Sequence, residues 1–351
     1  MKVFPKLLLF PVLLVSLFLL YCSAKHKAQG KLDEIYVVAD SLDWVANKPG
    51  LKAIFSKGTR MPVWEAEYIL HWVPYLEFPS IREFKNIFFL ARLDSKKPVS
   101  RAVKRLLSGE IKKGIRAGKY FYIPKKDAWA YGQYVLFFVA PTQEELIQRI
   151  YDLGAVAYDD FEKSYYQRLK TSMFAQYENK KLETYLKTHF PFTVRVEHDY
   201  FVADESLNHR YVWLRRFRPD RSLLVHWMPL TDSSKITPEW VIKERNRLAA
   251  IVYSGDRIVE DETTARRVQF AHRPALRLEG TWKNPKLMIG GPFRNMTFVD
   301  HRHKLIFMID LYVQAIGKRK KPYLDQLEII ASTFRPLGMP DRRLKSVAQM
   351  P

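Results

Sequence analysis

The stretch from Val156 to His189 holds almost no glycine or proline and is rich in helix-forming residues. It predicts one helix of roughly 30 residues, near 45 Å long at about 1.5 Å per residue. Phe190-Pro191 stops it, because proline disfavours helical backbone in the residue before it. A helix of that length in the middle of 351 residues leaves sequence on either side that must build its own core. Both sides run a long apolar strand into a helix: Val135-Leu136-Phe137-Phe138-Val139 before Glu144, and Ile306-Phe307-Met308-Ile309 before Tyr323. The expected fold class is α+β, with two related mixed strand and helix units, residues 35–155 and 191–335, joined by a long connecting helix at 156–190. A hydrophobic content of 47% is ample for two such cores. No fixed short-period repeat is present, which excludes a solenoid.

In the first unit, Ile35 to Ala39, Ile87 to Ala91, Tyr120 to Ile123 and Tyr134 to Ala140 read as strands. Leu51 to Phe55 closes a short helix. Val103, Leu106, Leu107, Ile111 and Ile115 fall at helical spacing within 99–115. Thr142 and Glu145 form a capping box for a helix that Gly154 interrupts. In the second unit, Phe192 to Glu197 alternates as a strand, and Tyr211 to Arg216 with Leu223 to Met228 form a hairpin around Pro219-Asp220. Thr237 caps a helix that carries Pro238 at its first position and Trp240, Val241, Leu248 and Ile251 on its core face. Strands follow at Ala275 to Trp282, Leu287 to Ile289, Asn295 to Asp300 and Leu305 to Ala315, then a helix from Pro322 to Phe334 and a basic tail at 336–351.

The N-terminus reads as an address. Lys2 and Lys6 precede an apolar run from Leu7 to Tyr21, about 15 residues, short of the roughly 20 a spanning helix needs. Cys22, the chain's one cysteine, follows at once in Leu19-Leu20-Tyr21-Cys22-Ser23-Ala24, which looks like a bacterial lipobox with Tyr21 where a small residue is usual. Three outcomes are open: lipidation at Cys22, signal-peptide cleavage after Ala24, or an uncleaved anchor. Residues 1–22 are then the anchor segment and 23–34 a polar tether. Each outcome exports the chain and the first and third tie it to a bilayer. A single cysteine also excludes an intrachain disulfide framework and a cysteine-based zinc site.

The chain has 58 Lys+Arg against 37 Asp+Glu, a formal charge of +21. Such a field favours an anionic partner, either a membrane surface or an envelope polymer, and export argues against nucleic acid. The sharpest basic run is Lys318-Arg319-Lys320-Lys321, expected in a solvated turn as a candidate anionic-surface contact or as plain surface. Gly290-Gly291-Pro292-Phe293 is a candidate ligand loop, or a tight turn with Phe293 packed inward. His301 and His303 share a strand face on paper, but Arg302 and Lys304 oppose a cation, so no metal is assigned and a polar hairpin turn is the reading. Asp159-Asp160 and Glu260-Asp261-Glu262 read as solvated helix and loop. Zinc-protease, nucleophile-elbow, dinucleotide and phosphate-loop signatures are all missing, and no cofactor is implied.

Tyr211-Val212-Trp213-Leu214-Arg215-Arg216, the helix from Thr237 to Ala250, and Gly280-Thr281-Trp282 leading to Gly290-Gly291-Pro292-Phe293 resemble the domain of unknown function 4837 family of Bacteroidota envelope lipoproteins. Ile35 to Ser41 and Asn86 to Arg92 match more loosely. The resemblance implies a lipid-anchored envelope protein and supplies no activity. The strand and helix order of the second half also looks like the PsbP-like α+β fold. The sequence therefore leads to a non-catalytic binding or structural module of the cell envelope, with an envelope protein or an anionic polymer as its partner; the rival is an envelope hydrolase acting on a polymer or lipid substrate, and no catalytic residue stands out.

Overall fold

The computed structural model describes residues 25–60, 63–175 and 178–339. Cys22 and the apolar run before it lie outside the described residues, as do the tail's last residues from 340. The chain is α+β and forms two compact units: an N-terminal unit of residues up to 55 with 68–161, and a C-terminal unit of 56–67 with 162 onward.

The N-terminal unit opens with β1 (Glu34–Val38) and α1 (Ser41–Phe55). The next two strands, β2 (Gly58–Arg60) and β3 (Trp64–Ala66), group with the C-terminal unit. The chain then returns through β4 (Ile69–Val73), the short α2 (Phe78–Ile81), β5 (Asn86–Arg92), α3 (Pro98–Leu106), α4 (Gly109–Arg116), β6 (Tyr122–Lys126) and β7 (Tyr134–Ala140) into α5 (Gln143–Phe174). The sheet order is β4-β1-β5-β7-β6, parallel except for the edge strand β6. Parallel strands are covered on both faces, which is why β5 and β7 are near-continuous apolar runs. One face packs Ile87, Phe89, Val135 and Phe137 against Val99 and Val103 of α3 and Ile115 of α4. The other stacks Phe88 and Phe138 with Phe55 of α1 and Phe161 of α5, at ring separations of 5.0–6.4 Å.

Four expectations are corrected in this part of the chain. The helix predicted over 99–115 is two helices, because Leu107 is extended and the Ser108 hydroxyl accepts from the Ile111 amide to start α4. The long helix runs from 143 to 174, straight through Gly154, and ends before α6 (Lys180–His189), which Asn179 caps by accepting from the Leu182 amide. Gly154 is kept for closeness rather than flexibility: a Cβ there would sit 2.3 Å from Ile54 Cδ1 of α1. Thr142 does cap α5, but the Glu145 carboxylate turns forward to Arg149 at 2.5 Å instead of back to the cap. The tether is also shorter than expected, since Ala28 and Gln29 donate their amides to the carbonyls of Tyr131 and Glu83.

Beyond α6, the C-terminal unit is an antiparallel sheet built from β8 to β17. A two-stranded pair joins β8 (Phe192–Thr193) to β17 (Arg335–Pro336), so the tail is ordered where it begins, and the strand predicted to Glu197 is only two residues long. The main sheet comprises β9 (Phe201–Ser206), β10 (Tyr211–Arg216), β11 (Asp220–Pro229), β12 (Arg257–Ile258), β13 (Thr264–Phe270), β14 (Arg273–Asn284), β15 (Ile289–Asp300) and β16 (Leu305–Gln314). Its order is β12-β14-β15-β16-β11-β10-β9, with β13 also paired to β14. On one face lies α7 (Pro238–Val252), capped by Thr237 as expected, with Val241, Leu248 and Ala249 packed on Leu278, Trp282, Phe293 and Tyr312. Ile251 is exposed rather than buried, and its expected place is taken by Arg245, which pairs with Asp310 beneath the helix. On the opposite face lies α8 (Lys321–Ser332), whose Leu324, Leu327 and Ile330 are buried; Phe334, just beyond it, stacks with Phe298 and Phe307.

Candidate functional site

Of the residues singled out in the sequence, the glycine pair and the basic run are placed differently from expectation, and the histidine pair lies in the hairpin turn expected for it. Gly290-Gly291-Pro292-Phe293 is not a loop. It lies within β15, paired with Gly280 to Lys283 of β14, and Phe293 is fully buried. Leu287 belongs to the turn before β15 and Ile289 begins it, so the short separate strand there does not exist. The glycine pair is required by backbone crowding: a Cβ on Gly291 would lie 2.0 Å from the Val313 carbonyl oxygen, and one on Gly290 2.6 Å from that of Trp282. His301 and His303 sit in the turn between β15 and β16, where His303 Nδ1 lies 2.5 Å from Asp300 Oδ2. Among the described residues no group of three or more His, Cys, Asp or Glu is arranged to hold a metal.

The basic run at 318–321 is corrected most. Only Lys318 is exposed. Arg319 donates to the carbonyls of Ala66 and Glu67, at 2.9 and 3.3 Å. The Lys320 ammonium pairs with Glu65 at 3.2 Å, and the backbone amides of Lys320 and Lys321 also donate to that carboxylate. These amides stand at the start of α8, where a helix has unsatisfied donors and a positive dipole end. Glu65, from a distant part of the sequence, satisfies them. Lys321 is buried and its ammonium reaches Asp325 one turn on, at 2.6 Å. A local reading of four cations could not anticipate a carboxylate 255 residues away.

Asp325 lies buried beneath a charged cleft, beside Arg294 and Lys321 of its lining. It is fully buried, accepts from Tyr165 at 2.8 Å and Tyr166 at 3.2 Å, and pairs with Arg294 at 3.1 Å. Burial opposes its ionisation, but Lys321 and Arg294 outweigh burial and hold the carboxyl at about 2. Arg294 and Arg277 both clamp Glu328, each at 2.5 Å, and Arg277 also binds Glu279 at 2.8 Å. Glu279 is likewise held below its ordinary value: burial opposes ionisation, and Arg277 and Arg294 prevail. The cleft above this lattice has a volume of about 420 Å³. Pro292 and Phe293 reach its wall, although not as a loop.

A second surface of the same unit is basic. A concavity of about 440 Å³ is lined by Arg267, Arg273, His301 and Arg302, with Ser233 and Ser234 at its edge. Its Asp300 already faces His303. An adjoining hollow of about 560 Å³ is lined by Lys170, His272, Arg335 and again Arg273, together with Arg195, which is paired to Glu178. Arg273 lines both, and the two hollows are together a basic groove in the sense of charge. Among the described residues no ion pair holds Arg267, Arg302, Arg335 or Lys170, and all four are exposed. The tight turn between β13 and β14 lines the second hollow, with Ala271 and His272 both at positive φ, at 47° and 64°. These cations are scattered singly through the sequence, Lys170 on α5, Arg267 on β13, Arg302 in the β15–β16 turn and Arg335 on β17, so no local run announced them.

No curated protein matches the chain. Among solved structures, a protein of Bacteroides thetaiotaomicron is similar over 43% of this chain and 47% of its own, at 9% identity and a TM-score of 0.28. This chain thus spans less than half of that protein. The Saccharomyces cerevisiae Ran-binding protein Mog1p is similar over 44% of this chain and 93% of its own, at 10% identity and a TM-score of 0.30. LpqN of Mycobacterium tuberculosis, described as involved in cell envelope biogenesis, is similar over 41% and 81%, at 14% identity and a TM-score of 0.28. Family models match more directly, with residues 28–174 fitting a domain of unknown function, DUF8532. Residues 178–333, which hold the sheet, α7, α8 and most of the concavities, fit another, the domain of unknown function 4837 (DUF4837).

Proposed function

We propose that this chain is a membrane-anchored protein of the bacterial cell envelope, of the lipoprotein kind, whose body is a non-catalytic module that binds an anionic partner. The anchor reading rests on Lys2, Lys6 and the apolar run ending at Cys22. The binding reading is carried by one observation: two concavities that share Arg273 present four exposed cations and, among the described residues that line them, no carboxylate beyond Asp300. A concave surface of one sign concentrates counter-charged ligands. The rival reading, an envelope hydrolase, is weakened by the cleft's chemistry. Glu279 is ionised and locked by arginines, whereas a general acid must keep its proton near neutral pH.

The test is retention of the full-length chain on immobilised linear polyphosphate across a salt gradient. The triple variant Arg267→Ala/Arg302→Ala/Arg335→Ala should elute early, and the slope of log affinity against log salt should fall by about 0.7 to 0.9 for each phosphate no longer neutralised. A control with three cations removed from the exposed faces of α3 and α4, Arg101→Ala/Arg105→Ala/Lys113→Ala, should elute late like the parent. Equal behaviour of the two variants would show that net charge alone governs retention and would end the groove reading.

A further inference from the structure

We infer that the charged cleft around Arg277 and Glu328 is a binding site for a neutral sugar unit of a glycan, with Trp64 as its stacking platform. Trp64 is 73% exposed, far more than an indole with no partner favours. It is nevertheless well supported. The β2–β3 ribbon presents it, and the indole lies against the backbone at Gly58, where a Cβ would come within 2.1 Å of its Nε1. The ribbon is fastened in turn by Glu65, which takes the Lys320 and Lys321 amides, and by Arg319, which takes the carbonyl oxygens of Ala66 and Glu67. The basic run thus serves to hold an exposed tryptophan at the cleft.

The opposite wall selects the chemistry. Arg266, Arg277, Glu262, Glu279 and Glu328 line the cleft together with Trp64. Cations and carboxylates alternate, with Arg266 paired to Glu279 at 3.3 Å and Arg277 to Glu328 at 2.5 Å. An anionic ligand would meet repulsion from three of these groups and a cationic one from two. A polyhydroxylated neutral ligand would not, because each hydroxyl both donates and accepts. Its flat C–H face suits an indole, and the carboxylate–guanidinium lattice is fixed before binding, so little ordering is lost. The volume of about 420 Å³ lies in the range of small-molecule sites, roughly 300–1,000 Å³. This site is independent of the basic groove, since it uses other residues and takes a ligand without charge.

The test is calorimetric titration of the full-length chain with cellobiose, maltose and N,N′-diacetylchitobiose, and with inorganic phosphate and glutamate as charged comparators. At least one disaccharide should bind saturably at millimolar concentration or below, and Trp64→Ala should weaken it about tenfold, the larger end of what an aromatic platform contributes. Gly58→Ala should weaken it as well, because the methyl group displaces the indole. Trp72→Ala, removing an indole of the N-terminal unit, should leave it unchanged. No saturable disaccharide binding, binding indifferent to Trp64→Ala, or tighter binding of phosphate or glutamate would each overturn the inference. None of these outcomes bears on retention by the groove.

Discussion

Asp43 in the N-terminal unit and Asp325 in the C-terminal unit are both enclosed, at 1% and 0% exposure, yet their surroundings push the two carboxyls in opposite directions. Asp43 has one cation, Arg92, whose Nε lies 2.7 Å away and whose charge is shared with Asp94 at 3.2 Å. Its second oxygen has no hydrogen-bond partner among the described residues. Burial wins there, and the Asp43 carboxyl is raised above its ordinary value of 3.8. Asp325 has Lys321, Arg294 and two tyrosine hydroxyls, and with them it stays ionised at full burial. A buried charge becomes cheap only when several donors surround it; one shared arginine does not suffice.

The largest expected contrast follows from removing each aspartate. Asp325→Ala takes away the buried carboxylate that Lys321 and Arg294 share, and breaking such a buried pair costs about 3 to 5 kcal/mol, although Arg294 keeps Glu328. Asp43→Ala leaves Arg92 partly solvated and still bound to Asp94, so a loss of about 1 to 2 kcal/mol is expected, the scale of one charge-assisted hydrogen bond. Urea unfolding, with hydrogen exchange resolved by unit, measures both. Equal losses would mean that donor number does not govern the cost.

Acid should separate the two further. Asp325 is depressed to about 2 from 3.8, so the stability it lends is complete above 3.8 and drains as pH falls toward 2. The amount is on the order of 2 kcal/mol. Asp43 is raised, so its contribution is full below 3.8 and is lost as pH rises through its folded value. Lowering the pH from 5 to about 2 should therefore weaken amide protection in the C-terminal unit through Asp325, while Asp43 works the other way in the N-terminal unit. Asp325→Asn should flatten the first trend, and an unchanged acid dependence in that variant would place the effect elsewhere.

The same difference explains what could be read from the sequence. Strands at 87–91, 134–140 and 211–216, the hairpin into β11 and the Thr237 cap are legible because their signals are local: apolar runs, turn residues, and a cap followed by proline. The break at Ser108 carried a local signal too, a capping hydroxyl three residues before Ile111, which the apolar spacing of 99–115 obscured. What stayed hidden depends on partners far along the chain. Gly154 looks like a helix breaker until Ile54 is seen beside it. Gly290-Gly291 looks like a loop until Val313 and Trp282 are seen to press on it. Lys320 and Lys321 look solvated until Glu65 arrives from the β2–β3 ribbon. Arg245 sits on a helix face that spacing assigns to apolar residues, and Asp310 on β16, with the rings of Tyr253 and Phe293, receives its charge. The candidate sites were the least legible parts, since both collect single residues from several turns and strands.

The smallest contrast concerns two helix caps with nearly the same geometry. Ser108 accepts from Ile111 at 3.2 Å to start α4, and Thr237 accepts from Trp240 at 3.3 Å to start α7. Replacing either by alanine should cost about 1 kcal/mol. The loss should surface differently, however. The eight-residue α4 buries only Gly114 and Ile115, so Ser108→Ala should open that helix locally and raise its amide exchange without moving the global midpoint. The fifteen-residue α7 buries Val241, Arg245, Leu248 and Ala249, and its end cannot loosen far without disturbing the Arg245–Asp310 pair. Thr237→Ala should therefore lower the unfolding midpoint of the C-terminal unit and leave local exchange in α7 near its parent value. If the two variants exchanged these signatures, the cooperativity assigned here to buried ion pairs in the C-terminal unit would have to come from its apolar packing alone.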